Sequence, residues 1–113
     1  MERFVAGEVV VIAFPYSDLK SYKSRPAIVL AQGDFGDIIV CQITSFKDKS
    51  QNTIPLSRQS FIKGSLPVSS YARPDKIFTA DRKLVTKKVG KLNKNTLENI
   101  KHGLADLFGL MRQ

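Results

Sequence analysis

The sequence predicts a mainly β protein in which antiparallel strands curve into a small barrel against one C-terminal α-helix. Short apolar, β-branched runs lie close together in the first half of the chain, and clusters of glycine, proline and aspartate separate them, as in consecutive antiparallel strands. Towards the end, apolar residues recur every three or four positions instead, which is the spacing of an amphipathic helix. These observations favour one helix packed on a small, strongly curved sheet.

The first half of the chain is predicted to form a three-strand meander. The run "VVVIAF" over Val9–Phe14 is typical of a buried strand, and the loop over Pro15–Ser24 follows it. A second strand covers Pro26–Ala31, where proline occupies the first position and its missing N–H matters least. The turn "QGDFGD" then leads into a third strand over Ile38–Ile43.

The second half is expected to add two or three short strands. Ser45–Ser60 is polar and loop-rich, with one apolar stretch at Thr53–Leu56 that could form a brief edge strand. Polar and apolar residues alternate in "LPVSSYARPDKIFT", and Ile77–Thr79 and Val85–Val89 suggest two further strands. The total is five to six strands.

A C-terminal helix is predicted over about residues 93–110. Asn93 is a suitable N-cap, and Gly109 lies near the other end. His102 is two residues from Ile100 and two from Leu104, so we expect it to point to solvent. The apolar face predicted to pack on the sheet contains Leu97, Ile100, Leu104, Leu107, Phe108 and Met111.

Length and composition are those of one small globular domain, residues 1–113. The chain has 113 residues, 42% of them hydrophobic and 25% charged, which suits a single core. The single cysteine, Cys41, cannot form an internal disulfide. One cysteine and one histidine also supply too few ligands for a metal site. No apolar run approaches the roughly 20 residues that span a bilayer, and the start lacks the pattern of a secretory signal. We therefore expect a cytoplasmic protein with no cofactor and no membrane partner.

The charge balance favours a polyanionic partner. The formal net charge is +8, which attracts nucleic acid through counterion release and electrostatic steering. One stretch, Asp81–Lys94, is especially basic, although a solvated face is the ordinary interpretation of such a run. Its basic residues are Arg82, Lys83, Lys87, Lys88, Lys91 and Lys94.

Polar residues at predicted strand ends are the candidate functional residues, since loops that converge there can hold a substrate. Arg25 precedes the second strand, Thr44 and Ser45 end the third, and Arg73 and Asp75 flank a proline. Each also has a purely structural interpretation, as a surface residue, a turn cap or a bulge. Glycine-rich phosphate loops, dinucleotide fingerprints, zinc spacings and serine nucleophile elbows do not occur in the sequence.

Four ordered segments resemble the MazF/PemK (Kid) toxins of type II toxin–antitoxin modules. They are "GEVVVIAFPYSD", "SRPAIVLA", "CQITS" and "SYARPDKIFTADRKLVTKKVGKL", and with the final helix they extend from Gly7 to Leu110. The resemblance implies a small SH3-like barrel that acts as a homodimeric, metal-independent endoribonuclease on single-stranded messenger RNA. It also implies an antitoxin partner with an acidic disordered segment, which is a second possible ligand of the basic stretch.

The resemblance also implies a mechanism in which the 2′-hydroxyl of the RNA attacks the adjacent phosphate and leaves a 2′,3′-cyclic phosphate and a 5′-hydroxyl. Arg25 would hold the phosphate with its planar fork of donors, and Thr44 would add a hydroxyl donor. Asp75 matches the general base of the PemK branch and Arg73 its general acid. Because arginine hardly deprotonates, Arg73 could instead only stabilise charge.

The first inter-strand loop departs from the family pattern. The PemK branch has a histidine there, whereas "SDLKSYKS" has none. In its place Tyr22 could stack on a base, and Lys20 or Lys23 could contact phosphate. The alternative is a loop that contacts nothing until RNA binds. The RNA-binding residues predicted besides these three are Ser17, Ser45 and Lys76.

Two other functions remain compatible with the sequence. A CcdB-type poison of DNA gyrase shares the predicted fold without hydrolysing RNA, and the terminal "LFGLMRQ" is only loosely similar to the bulky apolar C-terminus on which that type depends. A catalytically inactive RNA-binding barrel is the third possibility.

Overall fold

A computed structural model describes residues 3–15, 20–46 and 52–110. These residues form seven antiparallel strands followed by one helix. The strands are β1 Glu8–Pro15, β2 Tyr22–Gln32, β3 Asp37–Thr44, β4 Ile54–Leu56, β5 Phe61–Gly64, β6 Ser70–Asp81 and β7 Val85–Leu92, and the helix α1 is Lys94–Leu107. Short 3₁₀ turns at Arg58–Ser60 and Arg82–Leu84 precede β5 and β7. The mainly β prediction is confirmed.

The sheet is curled because its two edges are joined by a short segment. The strand order is β4-β6-β3-β2-β1-β7-β5, so a flat sheet would separate its edge strands by about 29 Å at ordinary strand spacing. Only Ser57–Ser60 joins β4 to β5, and a chain from Leu56 to Phe61 reaches at most about 18 Å when fully extended. The strands therefore bend into a half-barrel.

The central strands β1, β2 and β3 are buried on both faces. Val40 and Cys41 are neighbours on β3 and point to opposite faces, yet both have 0% exposure. A strand buried on both faces needs an unbroken apolar run rather than alternation, which explains the sequence of Val9–Phe14. One core contains Phe4, Val10, Ile12, Ala27, Val29, Ile38, Val40 and Ala80, and the other contains Val9, Ile28, Cys41, Ile43, Leu56, Ala72, Leu92 and Ile100.

Two features of the strand prediction were wrong. Ile77–Thr79 is not a further strand of its own but part of β6, which continues through a bulge at Pro74, since Cys41 pairs with Ile77 while Gln42 pairs with Arg73. The bulge itself agrees with the structural interpretation of Arg73 and Asp75. β5 was not predicted. β5 lies very close to β7, because both strands have a glycine where they meet. A Cβ on Gly90 would lie 2.6 Å from the backbone oxygen of Lys63.

Helix α1 packs on the sheet as far as Leu104. Asn93 caps it as predicted, with its side chain accepting from the Thr96 N–H at 2.8 Å. Ile100 is buried, but Leu107 and Phe108 are 40% and 61% exposed, so the prediction that they pack on the sheet was wrong. The sheet does not cover the last turn. Leu110 is also exposed, and Met111 lies outside the described residues.

The solvent position of His102 is confirmed by its exposure on α1. In the described part of the chain, no helix is both long and apolar enough to cross a bilayer.

Candidate active site

A cleft at one end of β2 and β3 contains four of the predicted site residues. They are Lys23, Arg25, Thr44 and Ser45, and the volume of the cleft is about 380 Å³. We call it the Arg25 cleft. Its wall opposite the strand ends is the segment Leu66–Val68, and its complete lining is Lys23, Ser24, Arg25, Pro26, Ile43, Thr44, Ser45, Leu66, Pro67, Val68 and Ser70.

Strand register explains why Arg25 and Thr44 lie together. Ala27 of β2 is paired with Gln42 of β3, and side chains two residues further along each strand return to the same face. Those positions are Arg25 and Thr44, and Thr44 is itself paired with Tyr71 of β6. The three side chains therefore form one row across the end of the sheet.

Arg25 is a half-buried cation to which the described residues offer no hydrogen-bonding or charged partner. It lies at the start of the apolar part of β2, opposite Ile12. Within residues 3–15, 20–46 and 52–110, its guanidinium makes no hydrogen bond and no salt bridge. Because an arginine stays charged at any working pH, this position favours an anion with oxygen acceptors, such as phosphate.

Thr44 is both a turn cap and a possible donor. Its Oγ1 accepts a hydrogen bond from the Phe46 N–H at 3.1 Å, which confirms the structural interpretation of this residue. A hydroxyl that accepts one bond still has its own O–H to donate. Thr44 can therefore add a neutral donor beside Arg25.

The bulge of β6 carries the second part of the predicted site. Three residues, Pro74–Lys76, stand where β3 has none. Pro74 is fully buried and faces α1, where a Cβ on Gly103 would lie only 3.0 Å from its Cγ. The absence of a side chain at Gly103 lets the helix hold this proline, and the proline fixes the bulge that presents Asp75.

Arg73 and Asp75 form a bidentate pair. Arg73 donates from Nε to Asp75 Oδ1 at 3.2 Å and from Nη2 to Oδ2 at 2.8 Å. These hydrogen bonds from Arg73 lower the pKa of the Asp75 carboxyl from its ordinary value, and the charges of Arg73 and Lys76 lower it further. Asp75 keeps 29% of its side-chain surface exposed, so an ionised carboxylate remains within reach of a ligand.

The predicted RNA-contact residues around the cleft are mostly exposed. Tyr22 opens β2 with 65% exposure, Lys20 precedes it, and Lys76 lies on the bulge. Ser17 lies outside the described residues. All the described members of the predicted set are thus at the surface.

Two kinds of site residue were not predicted, because only strand register and the curling of the sheet bring them to the site. Gln42 lies between Ala27 and Arg73 in the row next to Arg25, and Tyr71 completes the row of Thr44. The alternation of "SSYARP" could have indicated Tyr71, since it shares the parity of Arg73. The wall Leu66–Val68 begins the same alternating stretch, which predicts a strand there and not the wall of a cleft.

Thiol and metal chemistry find little support in the described ranges. Burial raises the pKa of the Cys41 thiol to about 12, which makes it unreactive as a nucleophile. Among the residues that the structure describes, no three His, Cys, Asp or Glu side chains are grouped so that they could hold a metal ion.

The fold is shared with solved structures of bacterial endoribonucleases and MazF proteins. A mycobacterial endoribonuclease in complex with its cognate antitoxin aligns with a TM-score of 0.76 at 17% identity, covering 100% of both chains. The MazE–MazF complex of Deinococcus radiodurans gives 0.76 at 21% identity over 94% of this chain and 96% of the other. The Mycobacterium tuberculosis toxin MazF-mt6 gives 0.70 at 16% identity over 91% and 99%.

The chain belongs to the family of PemK-like, MazF-like toxins of type II toxin–antitoxin systems, whose pattern matches residues 6–108. No curated protein sequence matches it. The family resemblance found in the sequence is therefore confirmed over nearly the whole chain.

Proposed function

We propose that this toxin is an endoribonuclease that cuts single-stranded messenger RNA in the cytoplasm, without a metal, at short sequence motifs. The observation that carries the proposal is the half-buried guanidinium of Arg25, which has no partner among the described residues and lies in a cleft beside Thr44. Family membership and the similarity in fold to mycobacterial proteins described as endoribonucleases support it.

The proposed reaction is an internal transfer in which the RNA supplies its own nucleophile. The 2′-oxygen attacks the adjacent phosphorus as its proton leaves, the bond to the 5′-oxygen breaks, and that oxygen takes up a proton. The products are a 2′,3′-cyclic phosphate and a 5′-hydroxyl. No protein nucleophile is required, which is consistent with an unreactive Cys41.

Charge stabilisation by Arg25 supplies most of the proposed rate enhancement. Its N–H donors, with the Thr44 hydroxyl, face the phosphate oxygens on which negative charge grows, and such preorganised donors are usually the largest catalytic contribution. Asp75 accepts the 2′-hydroxyl proton. Because its pKa is lowered by Arg73, it is a weak base at neutral pH, and its contribution falls below that of a base whose pKa matches the working pH.

Arg73 acts in this proposal as a positioning and charge-stabilising residue rather than as the acid. Both oxygens of Asp75 accept bonds from its guanidinium, and an arginine does not give up its proton at neutral pH. Arg73 therefore fixes the orientation and the charge of the carboxylate. The proton for the 5′-oxygen then comes from water or from another group.

The proposed partners are a second copy of the chain and an antitoxin with an acidic disordered segment. A 12.6 kDa chain that accommodates several nucleotides gains a longer groove across a two-fold interface. The net charge of +8 favours an acidic segment that orders on binding. Two of the three similar structures named above are complexes with antitoxins.

Cleavage of a long RNA in EDTA tests the proposal. Purified protein should cut the RNA at a small number of motifs and leave 2′,3′-cyclic phosphate ends, which end-specific ligation and mass spectrometry identify. Binding without cleavage would identify an inactive RNA-binding barrel, and arrest of DNA gyrase without RNA cleavage would identify a gyrase poison. Either result contradicts the proposal.

A further inference from the structure

A second cleft adjoins the Arg25 cleft. We call it the Arg58 cleft. Its volume is about 510 Å³, and it shares the segment Leu66–Val68 with the Arg25 cleft. One short segment therefore contributes to both clefts, and a ligand that lies along it reaches both. The complete lining of the Arg58 cleft is Leu56, Ser57, Arg58, Phe61, Ser65, Leu66, Pro67, Val68 and Ser69.

The lining of the Arg58 cleft suits an unstacked nucleotide. Phe61 and Leu66 are partly buried, and Val68 is 57% exposed, so apolar surface faces the ligand. Serine hydroxyls and one guanidinium supply polar contacts, and the lining contains no carboxylate. Aromatic and apolar surface for a base, with a cation for its phosphate, is the general pattern of single-strand recognition.

The backbone that carries Arg58 is held rigidly. Ser60 N–H donates to the Ser57 carbonyl at 3.0 Å, and Ser57 N–H donates back to Ser60 Oγ at 3.0 Å. Asn93 joins this turn to the start of α1, with its N–H donating to the Ser60 carbonyl at 2.8 Å and its Nδ2 to the Gln59 carbonyl at 2.7 Å.

The side chain of Arg58, in contrast, is exposed, and within the three described ranges it makes no hydrogen bond or salt bridge. A fixed turn that presents an uncommitted cation is preorganised for an anionic ligand. Arg58 and Arg25 are thus two such cations, one in each of the adjoining clefts.

We propose that the Arg58 cleft is a nucleotide subsite of the same RNA-binding surface, in which the apolar lining holds the base of a nucleotide flanking the reacting phosphate and Arg58 pairs with the phosphate of that nucleotide. The inference rests on the proposed function, because it takes the Arg25 cleft as the place of the reacting phosphate. It makes Arg58 a determinant of substrate length and affinity.

Binding of RNAs of different lengths tests this subsite. The probe is a fluorescent RNA containing a cleavage motif mapped in a long transcript, with a 2′-deoxy group at the cut nucleotide to block the reaction. Versions shortened from the 5′ or the 3′ side remove one flanking nucleotide at a time. Fluorescence anisotropy over a range of salt concentrations gives Kd and its salt dependence for wild type, Arg58→Ala and Lys101→Ala, a control on α1 away from both clefts.

Arg58→Ala should raise the Kd for the full-length RNA about tenfold, because a charge-assisted contact to phosphate is lost. It should also lower the slope of log K against log salt by about 0.7, the value for one phosphate of a single strand. RNA shortened on one side should bind wild type and Arg58→Ala equally. With cleavable RNA, the KM of Arg58→Ala should rise to a similar extent, and Lys101→Ala should behave as wild type.

The subsite is wrong if Arg58→Ala matches Lys101→Ala on every RNA, or if it weakens all lengths equally. A labelled polyglutamate peptide that loses affinity in Arg58→Ala while RNA does not would identify a peptide site and also overturn the proposal. If wild type cuts RNA, Arg25→Ala does not, and Arg58→Ala cuts with the KM of wild type, the subsite alone is refuted. Wild type that neither binds nor cuts RNA refutes the proposed function as well.

Discussion

Arg25 and Arg73 lie on the same face of the sheet in neighbouring rows, yet their surroundings are opposite. Arg25 has no side-chain partner in the described ranges and lines an open cleft. Arg73 is 15% exposed and holds both oxygens of Asp75. The same residue type therefore has two roles. The guanidinium of Arg25 is available to an incoming anion, whereas that of Arg73 fixes the charge and position of a neighbouring carboxylate.

The largest expected effect is the loss of the unpaired arginine. Arg25→Ala should lower kcat/KM for RNA cleavage by about 10²–10³, or roughly 2.7–4 kcal/mol, as for removal of one donor from a preorganised anion site. Arg25→Lys should recover little, because lysine lacks the planar fork. Thermal unfolding should be nearly unchanged, since Arg25 makes no hydrogen bond or salt bridge within the described ranges. Cleavage at the wild-type rate would show that Arg25 does not hold the phosphate.

Removal of the carboxylate of Asp75, the partner of Arg73, should lower the cleavage rate less than the loss of Arg25 does. Asp75→Asn keeps the size of the side chain and should slow cleavage about 10- to 100-fold, or roughly 1.4–2.7 kcal/mol, because a carboxylate with a lowered pKa is a weak base. Single-turnover kinetics in EDTA measure it, with circular dichroism as the folding control. An undiminished rate would make Asp75 structural and direct the search for the base to Ser17–Ser24 or Thr44.

A helix substitution should disturb one region and spare the other. Gly103→Val places atoms against Pro74 and should destabilise the fold by roughly 1–2 kcal/mol through overpacking. Because Pro74 fixes the bulge, cleavage should slow while RNA affinity, carried by Arg25, stays close to wild type. Lys101→Val, on an exposed part of the same helix, is the control for placing a β-branched residue in α1, since it adds no atoms against Pro74. Equal melting temperatures for the two variants would contradict the packing argument.

The smallest expected effect is a displacement along the pH axis. Arg73→Gln removes the main cause of the lowered pKa of Asp75, so that pKa should rise towards its ordinary value of 3.8. If Asp75 acts as the base, the acidic limb of the pH profile of kcat/KM should move to higher pH. An acidic limb at the same pH in both proteins would exclude Asp75 as its source.

Stability should follow the same sign. A carboxyl whose folded pKa is lowered stabilises the protein above its unfolded pKa, and this stabilisation disappears as the pH falls through the folded value. In wild type the contribution of Asp75 is therefore present at neutral pH and is lost only in acid. Arg73→Gln should make stability less dependent on pH in that acidic range, as chemical denaturation at several pH values would measure.

Local sequence patterns predicted the central strands, whereas β5 and the surroundings of the site residues depend on pairing across the sheet. β1, β2 and β3 were predictable because burial on both faces demands unbroken apolar runs. β5 was not, because Phe61–Gly64 is short and mostly exposed, and it pairs with β7 through glycines distant in sequence. The family resemblance indicated Arg25 and Asp75 as site residues. No sequence pattern showed that Arg25 lacks a partner in the described ranges or that Asp75 is paired with Arg73.

The Arg58 cleft shows the same limit more sharply. Neither Arg58 nor the wall Leu66–Val68 carries a functional signal in the sequence, since Arg58 lies in a polar, loop-rich stretch and Leu66–Val68 begins an alternating stretch that is typical of a strand. They adjoin the Arg25 cleft because the sheet curls until β4 and β5, its two edges, are joined by four residues. Such convergence depends on strand order, which a single sequence does not encode locally.

The position of β1 between β2 and β7 has a consequence for how the protein is made. A bond such as that from Thr86 Oγ1 to the Val11 carbonyl at 3.2 Å spans 75 positions of the chain, so β1 must wait for nearly the whole protein before its second edge is covered. Pairing at such separations makes folding slow. On the ribosome, where synthesis runs at about 5–20 residues per second, the half-barrel closes only after β7 has emerged. The nascent chain is therefore expected to become toxic late in its synthesis.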